Sequence, residues 1–236
     1  MTLRDDGAQY VVAGAKPWNR RVFDEVIRRY PGSWTYVGSR EELTTAVQAL
    51  APRYAFFLHW SWKVPPEILG ATECVCFHMT DVPFGRGGSP LQNLIVRGLD
   101  RTKLSSLRMV DEMDAGPVYA KRDLDLHGTA EEVYVRAAYL SADMVRDIVE
   151  REPDPVPQAG QVVAFQRRRP ADSEVPELES LTAVHDFIRM LDAHGYPPAF
   201  IDHKGFRYSF GRAALYDGRV VADVTITPMP ESEDER

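Results

Sequence analysis

The sequence lacks the features of a membrane, secreted or nucleic-acid-binding protein. Across its 236 residues no apolar run approaches the ~20 residues that cross a bilayer. Residues 1–7 carry charge and no apolar stretch, so no signal peptide is read there and a cytoplasmic location is expected. Positive charge is in deficit. Twenty-eight Lys and Arg against 35 Asp and Glu leave a net charge of −7, which argues against a nucleic-acid partner, because phosphate backbones select basic surfaces. Cysteine is nearly missing. Cys74 and Cys76 lie one residue apart in an apolar segment, where they share a strand face and cannot close an unstrained disulfide. With no third or fourth ligand nearby they make a poor zinc site and read as small buried hydrophobes. His59, His127, His185, His194 and His203 are scattered without ligand spacing, so no metal is expected. Internal repeats and low-complexity runs are also missing.

What is present is an alternation of strand and helix patterns. Tyr10–Gly14, Thr35–Gly38, Tyr54–Trp60 and Glu73–Phe77 are short apolar runs of the kind that form buried strands. Between them, Pro17 suits a first helical turn, Ser39-Arg-Glu-Glu42 is a capping box, and Pro65–Leu69 opens a short helix or turn. Strands are expected again over 104–110 and 117–126, and a second capping box, Thr129-Ala-Glu-Glu132, starts a long helix. This order predicts an α/β fold with a Rossmann-like, mostly parallel sheet and helices on both faces. A Pro-rich stretch, 153–157, marks the exit from this domain, taken as 1–152. Residues 153–230 read as a small C-terminal subdomain: a strand over 161–167, a helix with Leu181, Val184, Phe187, Ile188 and Leu191 inward, and β-hairpins at Lys204-Gly205 and Asp217-Gly218. The charged tail 231–236 is expected to be disordered.

Two segments carry chemistry. In the first, residues 77–90, a strand runs into His78, then Pro83 and a glycine-rich loop containing Arg86, and Pro90 opens a helix. Glycines allow backbone to approach a ligand closely, and a His at the carboxyl end of a strand is placed for general-base work. A buried structural histidine is the competing reading. In the second, Asp111–Tyr119, Asp114-Ala-Gly116 makes a tight turn between strands. Its carboxylate can orient an imidazole, and plain turn chemistry is the alternative.

Taken together, the two segments resemble the folate-dependent formyltransferase family, which includes methionyl-tRNA, glycinamide-ribonucleotide and nucleotide-sugar formyltransferases. The family's first motif is Asn-x-His-x-Ser, two residues, Pro, two residues, Arg-Gly, two residues, Pro; His78, Thr80, Pro83, Arg86, Gly87 and Pro90 fall into its register. Its second motif, Leu-Asp-x-Gly-Pro, reads here Met113-Asp-Ala-Gly-Pro117. The resemblance implies N10-formyltetrahydrofolate as donor and an amine as acceptor. His78 would serve as base and Asp114 would hold it, with Thr80 beside them. Pro83, Phe84, Gly85, Arg86, Gly87, Gly88 and Met113 would bind the folate. Where the family carries an Asn that donates to the oxyanion, this chain has Cys76, and a thiol is the weaker donor. Losing such a donor costs roughly 10²–10³ in rate, so Thr80, Gln92, Asn93 or a backbone N–H is expected to substitute.

Beyond residue 160 the chain resembles the nucleotide-sugar members, in 162–170, in Phe187–Leu191 and in Tyr196–Phe200. Methionyl-tRNA members carry a further C-terminal domain and a basic face. The expected acceptor is therefore a nucleotide-linked amino sugar, with Lys63, Asn93, Arg167 and Arg168 as its binding residues and Trp18, Trp60 and Trp62 as stacking candidates. The expected partners are folate and that sugar, with no nucleic acid and no membrane, and the C-terminal hairpins suit a homodimer. The alternatives are another small amine such as a siderophore or natural-product precursor, hydrolysis of formyl-folate, and a non-catalytic folate- or nucleotide-binding protein.

Overall fold

A computed structural model describes residues 7–229; the tail 231–236 lies outside the described residues. The described chain forms two compact units. The first runs up to Pro90 and adds Arg101–Asp125 and Tyr134–Phe165; the second comprises Leu91–Asp100, Leu126–Val133 and the chain from Gln166 onward.

The first unit is built on β1 (Gln9–Gly14), α1 (Pro17–Glu25), β2 (Ser33–Val37), α2 (Arg40–Leu50), β3 (Tyr54–Leu58), α3 (Pro66–Ala71) and β4 (Glu73–His78). Along the chain after β4 come β5 (Phe84–Gly87), α4 (Pro90–Ile95), β6 (Arg101–Arg108), β7 (Val118–Asp125), α5 (Ala130–Arg151) and β8 (Val163–Phe165), of which α4 from Leu91 onward and the first turn of α5 belong to the second unit. Six strands make one sheet in the order β2-β1-β3-β4-β6-β7. β2, β1, β3 and β4 run parallel, and β6 and β7 join antiparallel. All five residues of β3 are buried, which explains its unbroken apolar sequence: a strand covered on both faces has no polar side to alternate. One face packs Val11, Ala13, Ala55, Phe57 and Cys74 against Leu43, Ala46 and Val47 of α2 and Ile68 of α3. The opposite face carries an aromatic row in which Phe56 meets Trp34, Tyr54 and Phe77. The Ser39 cap is present, its hydroxyl accepting from the Glu42 N–H at 3.1 Å.

The glycine-rich loop forms β5, which pairs in parallel with β8 as a separate two-stranded sheet. Sequence periodicity cannot show this pairing, because the two segments lie 79 positions apart (163 − 84) and neither is long enough to alternate.

In the second unit Thr129 and Glu132 bond each other reciprocally, at 2.8 and 3.3 Å, as a capping box requires. Helix α6 (Leu181–Arg189) starts at the Ser180 cap. The buried Arg189 is held by Asp186 and by the carbonyls of Leu126 and Gly128. Strands β9 (Ala199–His203), β10 (Phe206–Tyr216) and β11 (Arg219–Pro228) form an antiparallel sheet with β10 central. Lys204 (φ 48°) and Gly205 (φ 80°) are both left-handed, as the turn between β9 and β10 demands. Among the described residues no helix is long and apolar enough to cross a membrane.

Candidate active site

Strand β4 delivers the central histidine. Cys74, Cys76 and His78 alternate onto one face of β4, and the His78 backbone pairs with Ser105 of β6. His78 is 8% exposed. The next turn is pinned from the same neighbour: the Ser105 hydroxyl donates to the Thr80 carbonyl at 2.6 Å. Ser105 was not singled out from the sequence, and a lone Ser within a strand gives no signal of this role.

The imidazole is held at both ends. Its Nε2 lies 2.7 Å from the Gly85 carbonyl, which the Thr80 hydroxyl also reaches at 3.3 Å. A carbonyl oxygen only accepts, so Nε2 carries hydrogen. The remaining nitrogen, Nδ1, faces Asp114 Oδ2 at 3.5 Å. In neutral His78 this is where the lone pair sits, and after protonation the new N–H points at a carboxylate. Asp114 Oδ2 is itself fixed by the Gly87 N–H at 2.9 Å. The pair can therefore take up one proton at Nδ1 and stabilise the resulting charge.

Glycine is required here by space as well as by conformation. Gly85 has φ 77°, and a Cβ there would come within 2.6 Å of Thr80 and 2.8 Å of Phe165; at Gly87 (φ 107°) it would meet the Phe165 carbonyl at 2.5 Å. Two N–H groups of this loop are already engaged, Gly87 with Asp114 and Gly88 with the Phe165 carbonyl at 3.2 Å. The expectation that loop N–H groups meet a ligand thus changes at these two positions, where they shape the site instead. The Pro83 carbonyl accepts from Val163, and Phe84 packs edge-on against Phe165.

Cys76 lies on the same face as His78, and burial together with the nearby Asp114 carboxylate pushes its thiol well above the usual range. It is a neutral S–H, a weak donor and a poor nucleophile. Met113 is 64% exposed beside Asp114, an apolar side chain facing outward.

The side chains expected to touch ligand are distributed as follows. Arg86 turns to Gln158, its Nε and Nη2 donating to Oε1 at 3.0 and 2.9 Å, and reaches Glu112 at 3.3 Å. Lys63 pairs with Asp111 at 2.8 Å. Trp18 is buried and stacks on Tyr134, while Trp60 and Trp62 meet edge-on and Trp62 is exposed. Asn93, Arg167 and Arg168 belong to the second unit. There the Asn93 amide donates to the Gln166 carbonyl at 3.0 Å, Arg167 is exposed, and Arg168 lies over the Phe187 ring and donates to the Asp172 carbonyl. Gln158, like Ser105, was not singled out from the sequence. Among the described residues no group of three or more His, Cys, Asp or Glu is arranged to hold a metal ion.

The family model described as the C-terminal domain of methionyl-tRNA formyltransferase matches residues 170–227, which corrects the expected likeness of this region to nucleotide-sugar members; a 4-N formyltransferase from Francisella tularensis is a distant match, 13% identical with a TM-score of 0.66 over 92% of this chain and 97% of that one. The methionyl-tRNA formyltransferase of Sinorhizobium medicae is 28% identical over 149 residues, 59% of this chain and 47% of that protein. The chain thus spans about half the length of the curated relatives it matches. A solved structure of methionyl-tRNA formyltransferase from Clostridium thermocellum is 42% identical with a TM-score of 0.88, covering 94% of this chain and 99% of that one. HypX from Aquifex aeolicus, crystallised with tetrahydrofolic acid, shares the fold at 17% identity and a TM-score of 0.71, over 88% of this chain and 38% of that one.

Proposed function

Because the chain belongs to the formyltransferase family, we propose that it transfers a formyl group from N10-formyltetrahydrofolate to a primary amine. The observation that carries this reading is the His78–Asp114 pair, whose free Nδ1 sits 3.5 Å from a carboxylate fixed by a backbone N–H. The amine nitrogen attacks the formyl carbon, the bond from that carbon to N10 breaks, and the proton lost by the amine passes through His78 Nδ1 to N10. Asp114 stabilises the imidazolium while the proton is in transit. Cys76 occupies the place of the family's oxyanion donor. The folate is held along Pro83–Gly88 and Met113.

The acceptor is a small amine, the amino group of a nucleotide-linked sugar. The net charge of −7 favours it, since a tRNA would approach against that charge. A second reading, the aminoacyl end of methionyl-tRNA, is favoured by the name of the Clostridium thermocellum relative, which this chain covers almost fully. Chain length does not separate the two.

The test follows tetrahydrofolate release from N10-formyltetrahydrofolate in the presence of nucleotide-linked amino sugars, other small amines or methionyl-tRNA. Release that requires one amino sugar supports the first acceptor, and release that requires methionyl-tRNA supports the second. Release without any amine means hydrolysis. Folate binding without release under all conditions refutes formyl transfer.

A further inference from the structure

We propose that Gln158 is a positioning residue that holds Asp114 in register with His78 and is itself oriented by Arg86; this rests on formyl transfer at the His78–Asp114 pair. Asp114 stands in the left-handed region, at φ 53°, which Asp visits more readily than most residues but which must be held as one conformer to aim the carboxylate. Its own loop supplies little restraint: the Ala115 N–H reaches the Glu112 carbonyl at a long 3.3 Å, and residues 111–113 are exposed. Besides the Gly87 N–H on its carboxylate, a restraint on its backbone comes from 44 residues away. Gln158 Nε2 donates to the carbonyls of Asp114 and Gly116, both at 2.8 Å.

The orientation of the Gln158 amide is fixed by its partners. Two carbonyls can face only its NH₂ group, and the Arg86 fork, at 3.0 and 2.9 Å, can face only its oxygen. Every polar atom of the side chain is thereby used. The backbone around it is anchored on both sides: Val156 and Val118 exchange two bonds of 2.8 Å, and the Val163 N–H reaches the Pro83 carbonyl at 3.1 Å. Arg86 stands on β5, whose Gly85 carbonyl and Gly87 N–H hold the imidazole and the carboxylate. Gln158 therefore ties the strand that fixes His78 to the loop that carries Asp114. It touches neither the imidazole nor the carboxylate, so its effect passes through geometry, to which such sites are sensitive at the 1 Å scale.

Two variants separate positioning from bulk stability. Gln158→Glu keeps an oxygen for Arg86 but has no hydrogen for the Asp114 and Gly116 carbonyls. Gln158→Met keeps the length and loses both. With the full chain, kcat for formyl transfer falls about 10–100-fold in each, while KM for N10-formyltetrahydrofolate and the thermal midpoint change little. The His78 ring nitrogen and proton chemical shifts, followed by NMR without substrate, differ from wild type in both variants. Unchanged His78 ring chemical shifts in both folded variants overturn the proposal. So does a kcat loss that tracks only the loss of folded protein. The NMR arm needs no turnover, so it judges Gln158 even if the wild-type chain shows no formyl transfer.

Discussion

At the scale of single residues, charge and hydrogen-bond geometry at Asp114 can be separated. An Asn side chain tolerates left-handed backbone and can still accept the Gly87 N–H, so Asp114→Asn keeps the turn while removing the charge that faces His78. We expect kcat to drop at least about tenfold with little change in folding; activity equal to wild type would reduce Asp114 to turn chemistry. Cys76 offers the converse case. If its thiol stands at the oxyanion position, Cys76→Asn supplies a better donor and activity holds or rises; a folded, inactive Cys76→Asn protein sinks that placement. His59 carries a consequence for stability rather than catalysis. It sits at φ 48° against the rings of Trp18 and Tyr134, and burial, then the nearby Lys16, lowers its pKa to about 3. The folded chain keeps this ring neutral down to that pH, whereas the unfolded chain protonates it near about 6.5. This contribution to stability is thus full above that value and is lost as pH falls from about 6.5 towards 3, by at most about 1.4 kcal/mol per unit. Urea denaturation of wild type and His59→Asn checks this: the variant's stability should depend less steeply on pH across that window.

At the scale of elements, the pairing of β5 with β8 is the feature on which the site depends, and Gly85 is where it can be broken. Gly85→Ala forces a Cβ into Thr80 and Phe165 at a positive φ. We expect a loss of about 2–3 kcal/mol and displacement of the carbonyl that holds His78. Gly70 in α3 is the control, because its Cβ direction is open and its φ is not positive, so Gly70→Ala should be neutral or slightly stabilising. Differential scanning calorimetry of both variants decides; equal midpoints would mean the loop is loosely held. The same contrast explains what was legible in the sequence. Strands β1, β3 and β4 announce themselves as unbroken apolar runs, and the Ser39 and Thr129 caps are local patterns of three or four residues. His78 and Asp114 stood out because a strand end and a tight turn are also local. Gln158 did not. Its partners are 42, 44 and 72 positions away, and an isolated Gln in a Pro-rich stretch carries no period, cap or turn signal. Arg86 was visible as a residue, but its direction, towards Gln158 rather than outward, is decided by tertiary contacts that no local pattern encodes.

At the scale of the whole molecule, charge sets which acceptors can be approached. A chain of net charge −7 does not attract polyanions at long range, and its local basic run, residues 167–169, includes Arg168, already engaged by Phe187 and the Asp172 carbonyl. A nucleotide-linked amino sugar presents few phosphates and asks little of that field. A tRNA presents many, and binding it through six to ten phosphate contacts would make affinity fall roughly 10³–10⁵-fold between about 50 and 200 mM salt. The salt dependence of kcat/KM therefore discriminates between the acceptors without knowledge of the sugar. With a small nucleotide-linked amine we expect a change of less than about fivefold across that range, and no inhibition by added bulk tRNA. A steep fall with salt, together with competition by uncharged tRNA, would show that a basic surface outweighs the net charge, and the aminoacyl acceptor would then replace the amino sugar.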